Sequence, residues 1–141
     1  MIKFKKIRYK NFLSTGNIPI EVELDKSHTT LIVGSNGSGK STLLDALCYA
    51  LFNKPFRIIK KDQMVNTINN GDTLVEVEFE VGTNQYMIRR GIKPNLFEIY
   101  QNDKLINQDA SNIDYQKYLE QNIMKLNYRS FIQVVILGSS S

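Results

Sequence analysis

Gly34 to Thr42 read GSNGSGKST, and Gly34 to Ser41 fit the pattern G-x-x-x-x-G-K-[ST]. Glycines let the backbone turn so that consecutive N–H groups point inward at a phosphate. The preceding TTLIVG, residues 29–34, is short, apolar and β-rich, as a buried strand feeding such a loop should be. The following KSTLLDALCYALFN, residues 40–53, has no Gly or Pro. It sets Leu43, Leu47 and Leu51, with Leu44 and Cys48, on one helical face, and Asn53 and Pro55 end it. Strand, glycine-rich loop and helix together separate this motif from a chance turn. In that setting Asn36, Gly37, Ser38 and Gly39 wrap the phosphates and Lys40 reaches the β- and γ-phosphate oxygens. The Ser41 hydroxyl ligates Mg²⁺, and Thr42 bonds the α-phosphate. A nucleotide with Mg²⁺ is the expected ligand.

The chain around the loop has 141 residues, enough for one domain, with 42% apolar and 23% charged residues. No apolar run approaches the ~20 residues that cross a bilayer, and the first residues lack the apolar block of a signal peptide. No membrane contact is expected, and the expected location is the cytoplasm. The single cysteine, Cys48, excludes an internal disulfide. Net charge is +4, unevenly spread. Lys3, Lys5, Lys6, Arg8 and Lys10 form one group, Lys54, Arg57, Lys60 and Lys61 a second, and Arg89, Arg90 and Lys93 a third. Such clustering suits a polyanionic partner, and equally a solvated basic edge.

Outward from the loop, residues 1–33 read as two edge strands and the nucleotide strand. The first ten residues alternate imperfectly, NFLSTGN supplies a turn, and IPIEVEL alternates apolar residues with Glu21 and Glu23. These two segments read as an antiparallel pair at a sheet edge. Residues 34–53 are the phosphate loop and helix, and residues 54–72 a polar, basic loop. Residues 73–107 read as a β-meander with one wet face: TLVEVEFEV, a GTN hairpin loop, QYMIRR, then LFEIYQN and a turn at NDK. Arg89 and Arg90, adjacent on a strand, face opposite ways. Residues 108–141 read as a helix over 111–126 followed by SFIQVVILG as a second buried strand. The fold class is α/β, with a mixed sheet, an antiparallel meander and flanking helices.

Hydrolysis asks for more than the loop. A carboxylate at the end of a second buried strand organises Mg²⁺ and water in such enzymes, and no four-residue apolar run here ends in Asp or Glu. The acids of LVEVEFEV alternate onto the wet face, and the lone histidine, His28, reads as a loop residue. By itself the chain is expected to be catalytically incomplete.

Several stretches carry a family resemblance. GSNGSGKST resembles the loop of ABC-type ATPases, and IRYKNFLSTG resembles the KNF opening of the chromosome-maintenance and break-repair branch. STLLDALCYALFNKPFR followed by IIKKDQ is similar to SbcC-type double-strand-break repair ATPases. YMIRRGIKPNLFEIY and YRSFIQVVILG resemble the large ATPase subunits of T-even-phage-type recombination endonucleases. The resemblance implies a P-loop ATPase head made of two distant pieces, of which residues 1–141 are the N-terminal lobe. A coiled coil then follows, and a C-terminal lobe of the same head supplies the acidic strand and signature motif. Two heads sandwich ATP as a homodimer, working with an SbcD-type nuclease subunit on DNA. Lys54, Arg57, Lys60 and Lys61 become candidate contacts to the DNA backbone. A phage-encoded member would act in the host cytoplasm, at the nucleoid. Two positions depart from the family. Leu13 stands where many members carry an Arg near the phosphates, and Ser14, which follows it, is the candidate there. The family's glutamine that helps hold Mg²⁺ and water aligns with Ser139, leaving Gln133 as the candidate equivalent.

Other classes fit parts of the same sequence. A self-contained small P-loop kinase or other NTPase would need an Arg-bearing lid and an acid on a second buried strand. A membrane-transport ABC ATPase would lack the KNF opening. A non-catalytic DNA-binding fragment would bind DNA without nucleotide, with a steep salt dependence.

Overall fold

In the computed structural model the described residues are 2–13, 16–24, 38–54, 64, 71–106 and 112–132. Strands β1 (Ile2–Lys10) and β2 (Ile20–Glu23) precede helix α1 (Ser38–Phe52). Strands β3 (Thr73–Val81), β4 (Asn84–Ile92), β5 (Leu96–Gln101) and β6 (Lys104–Leu105) follow. Helix α2 (Asn112–Tyr118) runs into a π-helical turn, Leu119–Met124, and α3 (Tyr128–Ile132) comes last. Among the described residues the strands form a single antiparallel sheet in the order β2-β1-β3-β4-β5-β6. The expected edge pair is present, and β1 also joins the expected meander. The strand expected at residues 29–33, which would make the sheet mixed, lies outside the described residues.

Alternation sets the two faces. Val75, Val77 and Phe79 of β3 are buried, and Glu76, Glu78 and Glu80 point the other way. In β1 the pattern breaks at Lys5. Phe4 pairs with Phe79 and Lys6 with Glu78, so one residue of β1 has no partner in the register. This β-bulge changes the parity, bringing Phe4, Ile7 and Tyr9 onto the same face. The imperfect alternation of the first ten residues has that cause. Two-residue loops close two hairpins, at Gly82–Thr83 and Asn102–Asp103, with positive φ at Gly82, Asn102 and Asp103.

The apolar face carries α1. An apolar stripe was expected on this helix, yet every residue from Thr42 to Phe52 is buried, including Asp45 and Tyr49. A helix buried on all sides is covered by more than one layer. The sheet covers one side, and Met64, Tyr115, Leu119, Ile123 and Phe131 belong to the same core. Asn53 ends α1 in a left-handed conformation, its N–H donating to Tyr49 O at 2.9 Å.

The C-terminal part corrects the expected secondary structure. Residues 111–126 were expected to form one helix, and the last six helical residues there are π-wound. SFIQVVILG was expected to be a strand from Ser130, but Ser130, Phe131 and Ile132 are helical. Asn127 caps α3, its Oδ1 accepting from Ser130 N at 2.8 Å. Phe131 packs its ring on Phe4 at 5.7 Å and on Phe52 at 5.3 Å, which joins the segment to the core.

Candidate nucleotide site

The helical part of the phosphate-loop motif opens α1. Ser38, Gly39, Lys40 and Ser41 are the opening turn of α1, the four positions whose backbone N–H groups lack intrahelical acceptors. No acidic residue occupies that turn to compete with a bound anion. Thr42 follows at once and is buried. Free N–H groups at a helix start suit a phosphate group. Asn36 and Gly37 lie outside the described residues.

The KNF stretch has a structural role in this arrangement. Lys10 Nζ meets Asp72 Oδ2 at 3.0 Å. Asn11 is buried with φ 51°, a conformation that Asn tolerates. Its side-chain amide donates to Asn17 Oδ1 at 2.9 Å and to Asp72 O at 3.2 Å, and its carbonyl accepts from Thr73 Oγ1 at 2.7 Å. That turn delivers Phe12, fully buried, onto the Tyr49 ring of α1 at 5.9 Å. The motif therefore props the helix that leaves the phosphate loop. Burial raises the Tyr49 phenol well above its ordinary range, and its hydroxyl has no hydrogen-bond partner among the described residues. Leu13 N donates to Met64 O at 2.6 Å, while Ser14 lies outside the described residues.

At the other end of α1 two side chains take up backbone carbonyls. Arg90 of β4 donates from Nε to Ala50 O at 3.0 Å, and Gln116 of α2 donates from Nε2 to Leu51 O at 2.8 Å. Arg90 Nη2 also donates to Gln116 Oε1, and Gln116 Nε2 to Glu120 Oε2 at 2.7 Å. The guanidinium lies 3.6 Å from the centroid of the Phe97 ring. Burial lowers its pKa to about 10, with Tyr49 and Glu120 opposing that shift. Sequence reading placed Arg90 in a basic group without seeing this role, and it missed Gln116. The available signal was a charged residue at a core position of β4, between Ile88 and Ile92.

Arg89 points the opposite way, as expected. Glu21, Arg8, Glu76, Arg89 and Glu98 form one transverse row across five strands, each opposite the next in register. Arg8 meets Glu21 at 3.2 Å and Glu76 at 2.9 Å, and Arg89 meets Glu76 at 2.6 Å and Glu98 at 2.8 Å. Much of the first and third basic groups is thus spent on acids of neighbouring strands or buried. Of the second group, Lys54 is exposed, with its ammonium 4.3 Å from the centroid of the Tyr128 ring. Arg57, Lys60 and Lys61 lie outside the described residues, as does Gln133. Lys54 stands past the C-terminal end of α1, about 22 Å along the axis from the phosphate-loop end. No group of three His, Cys, Asp or Glu that could hold a metal occurs among the described residues. No described helix is long and apolar enough to cross a membrane.

Comparison with known proteins agrees with this geometry. "Exonuclease subunit 2" of Enterobacteria phage T4 is 45% identical over 138 residues, covering 98% of this chain and 24% of that protein. "DNA double-strand break repair Rad50 ATPase" of Thermoplasma volcanium is 30% identical over 141 residues, covering 94% of this chain and 15% of that protein. The chain thus spans about a quarter of the phage relative and less of the archaeal one. A solved structure described as "Structural biochemistry of ATP-driven dimerization and DNA stimulated activation of SMC ATPases" superposes with a TM-score of 0.57 at 18% identity, covering 99% of both chains. A Smc head domain from Pyrococcus yayanosii gives 0.54 at 20% identity, over 87% of this chain and 26% of that one. These bear out the SbcC-type resemblance, and the fold is that of the N-terminal lobe of a P-loop ATPase head. A family model described as "AAA domain" matches residues 6–141, and the chain belongs to that family.

Proposed function

We propose that this chain is the ATP-binding half of an SbcC-type ATPase that couples ATP binding and hydrolysis to DNA end processing with a nuclease partner. The observation that carries the reading is the phosphate-loop motif running directly into α1, whose opening turn is free of acids and whose body is buried throughout. Asn36 to Gly39 enclose the phosphates with backbone N–H groups, Lys40 neutralises the β- and γ-phosphates, and Thr42 serves the α-phosphate. Ser41 would hold Mg²⁺, which when bound offsets phosphate charge. Residues 1–141 act as one lobe, and the groups for hydrolysis come from a C-terminal lobe of the same head and from a second head across a homodimer. Ser14 and Gln133 are the candidates for the remaining contacts from this lobe. DNA is held through its backbone by the basic segment of Lys54, Arg57, Lys60 and Lys61, independently of sequence. "Exonuclease subunit 2" is a name that itself points to a companion nuclease subunit.

Titration calorimetry with Mg-ATP tests the site. The wild-type chain is expected to bind and Lys40→Ala to lose detectable binding, with no turnover by the pure chain. Retained binding by the Lys40 variant would sink the site assignment. Clear hydrolysis by the chain alone would sink the composite-site reading.

A further inference from the structure

The two ends of α1 differ in how they are held. Its first turn faces the loop, while its last carbonyls are gripped by side chains far away in sequence. Arg90 holds Ala50 O and Gln116 holds Leu51 O, and these two side chains bond each other. The helix supplies no basic residue of its own in its last turn. The cation that complements its C-terminal partial negative charge comes instead from the middle of the sheet. A buried guanidinium is costly unless its N–H groups are satisfied. Two apolar side chains at positions 90 and 116 could fill the same space without that cost, but they could not fix the helix along its axis. Hydrogen bonds to carbonyls at a helix end set axial position, and a rigid helix carries that position to its other end. Gln116 extends the connection to Glu120, in the first turn of the π-helical segment. π-Helical turns are rare and often lie at functional sites.

We propose that Arg90 and Gln116 form a latch that sets the axial position of α1, and so of the phosphate loop, and that joins the nucleotide site to the π-helical turn 119–124. Both are positioning residues, and neither touches nucleotide. The inference rests on the nucleotide-binding reading above and adds a connection to it. Nucleotide bound at the first turn of α1 holds the helix in place, and Gln116 passes this restraint to Glu120. Release at the π turn would in return weaken nucleotide binding.

The test uses the 141-residue chain as wild type, Arg90→Met and Gln116→Leu. Mg-ATP affinity is measured by calorimetry, and amide hydrogen exchange is followed with and without nucleotide. Arg90→Met is expected to bind at least tenfold more weakly while β3 and β4 amides keep their protection. Gln116→Leu, which leaves Arg90 and the sheet in place, is expected to bind about threefold more weakly. In the wild type nucleotide should slow exchange at residues 119–124, and both variants should lose that response. A purely structural role would lower thermal stability and leave the response intact. If Arg90→Met does not fold, Gln116→Leu decides. Wild-type affinity together with a retained exchange response in Gln116→Leu overturns the latch alone. Absence of binding by the wild-type chain overturns the nucleotide site, and the latch with it.

Discussion

Cys48 has no solvent exposure, and burial pushes its thiol from 9.0 up to about 12, with Asp45 adding to the rise and Lys54 opposing it. The native state therefore keeps a proton that the unfolded chain releases above pH 9.0. The resulting stabilisation is complete below pH 9.0 and is lost as pH rises from there to about 12. Tyr9, Tyr49 and Tyr115, raised by burial as well, act in the same direction. Urea melts across this range should show stability falling with pH, and falling less steeply in Cys48→Ala by up to one proton. Equal slopes would mean that the thiol is reachable by water in the native state. At this scale the sequence revealed the phosphate loop because glycines and a lysine at fixed spacing carry their own chemistry. It concealed Arg90, because a guanidinium at a core position is recognisable only when the strand's inward face and the helix carbonyls behind it are known.

Among the elements, the β3–β4 hairpin has one position with no room for a side chain. A side chain at Gly91 would place its Cβ 2.7 Å from Thr73 O, a contact that only a backbone shift relieves. Gly91→Ala should cost about 1–3 kcal/mol in denaturant unfolding, whereas Gly16→Ala, with open space around it, should cost far less. TLVEVEFEV could be read as a strand with two faces because its partners supply matching alternation. The bulge at Lys5 could not, since an extra residue shows only against the strand it opposes. The π turn was hidden for a similar reason, as one added residue per turn leaves the local composition helical. Ser130–Ile132 looked like a strand by composition, and Asn127, a capping residue three positions ahead, was the overlooked sign of a helix start.

For the whole molecule, several of the clustered charges are met by acids distant in sequence. Clustered lysines and arginines suited either a polyanionic partner or a solvated basic edge, and Lys6, Arg8 and Arg89 meet carboxylates of other strands while Lys10 meets Asp72, just ahead of β3. Pairing across a sheet joins residues tens of positions apart, which a run of letters cannot display. The β1–β3 pairing has a further consequence, in time rather than in energy. β3, β4 and β5 are joined by short turns, while β1 must find β3 across about 60 residues, the whole of α1 included. Closing so long a loop is entropically expensive and comes after the local hairpins have formed. The meander is then the folding nucleus, and β1 docks late. Stopped-flow measurements should find that Val77→Ala in β3 mainly slows folding, and that Ile7→Val in β1 mainly speeds unfolding. A folding rate that responds equally to both would place β1 in the transition state. The N-terminal strand that supports α1 would on this ordering be the last to arrive and the first to leave.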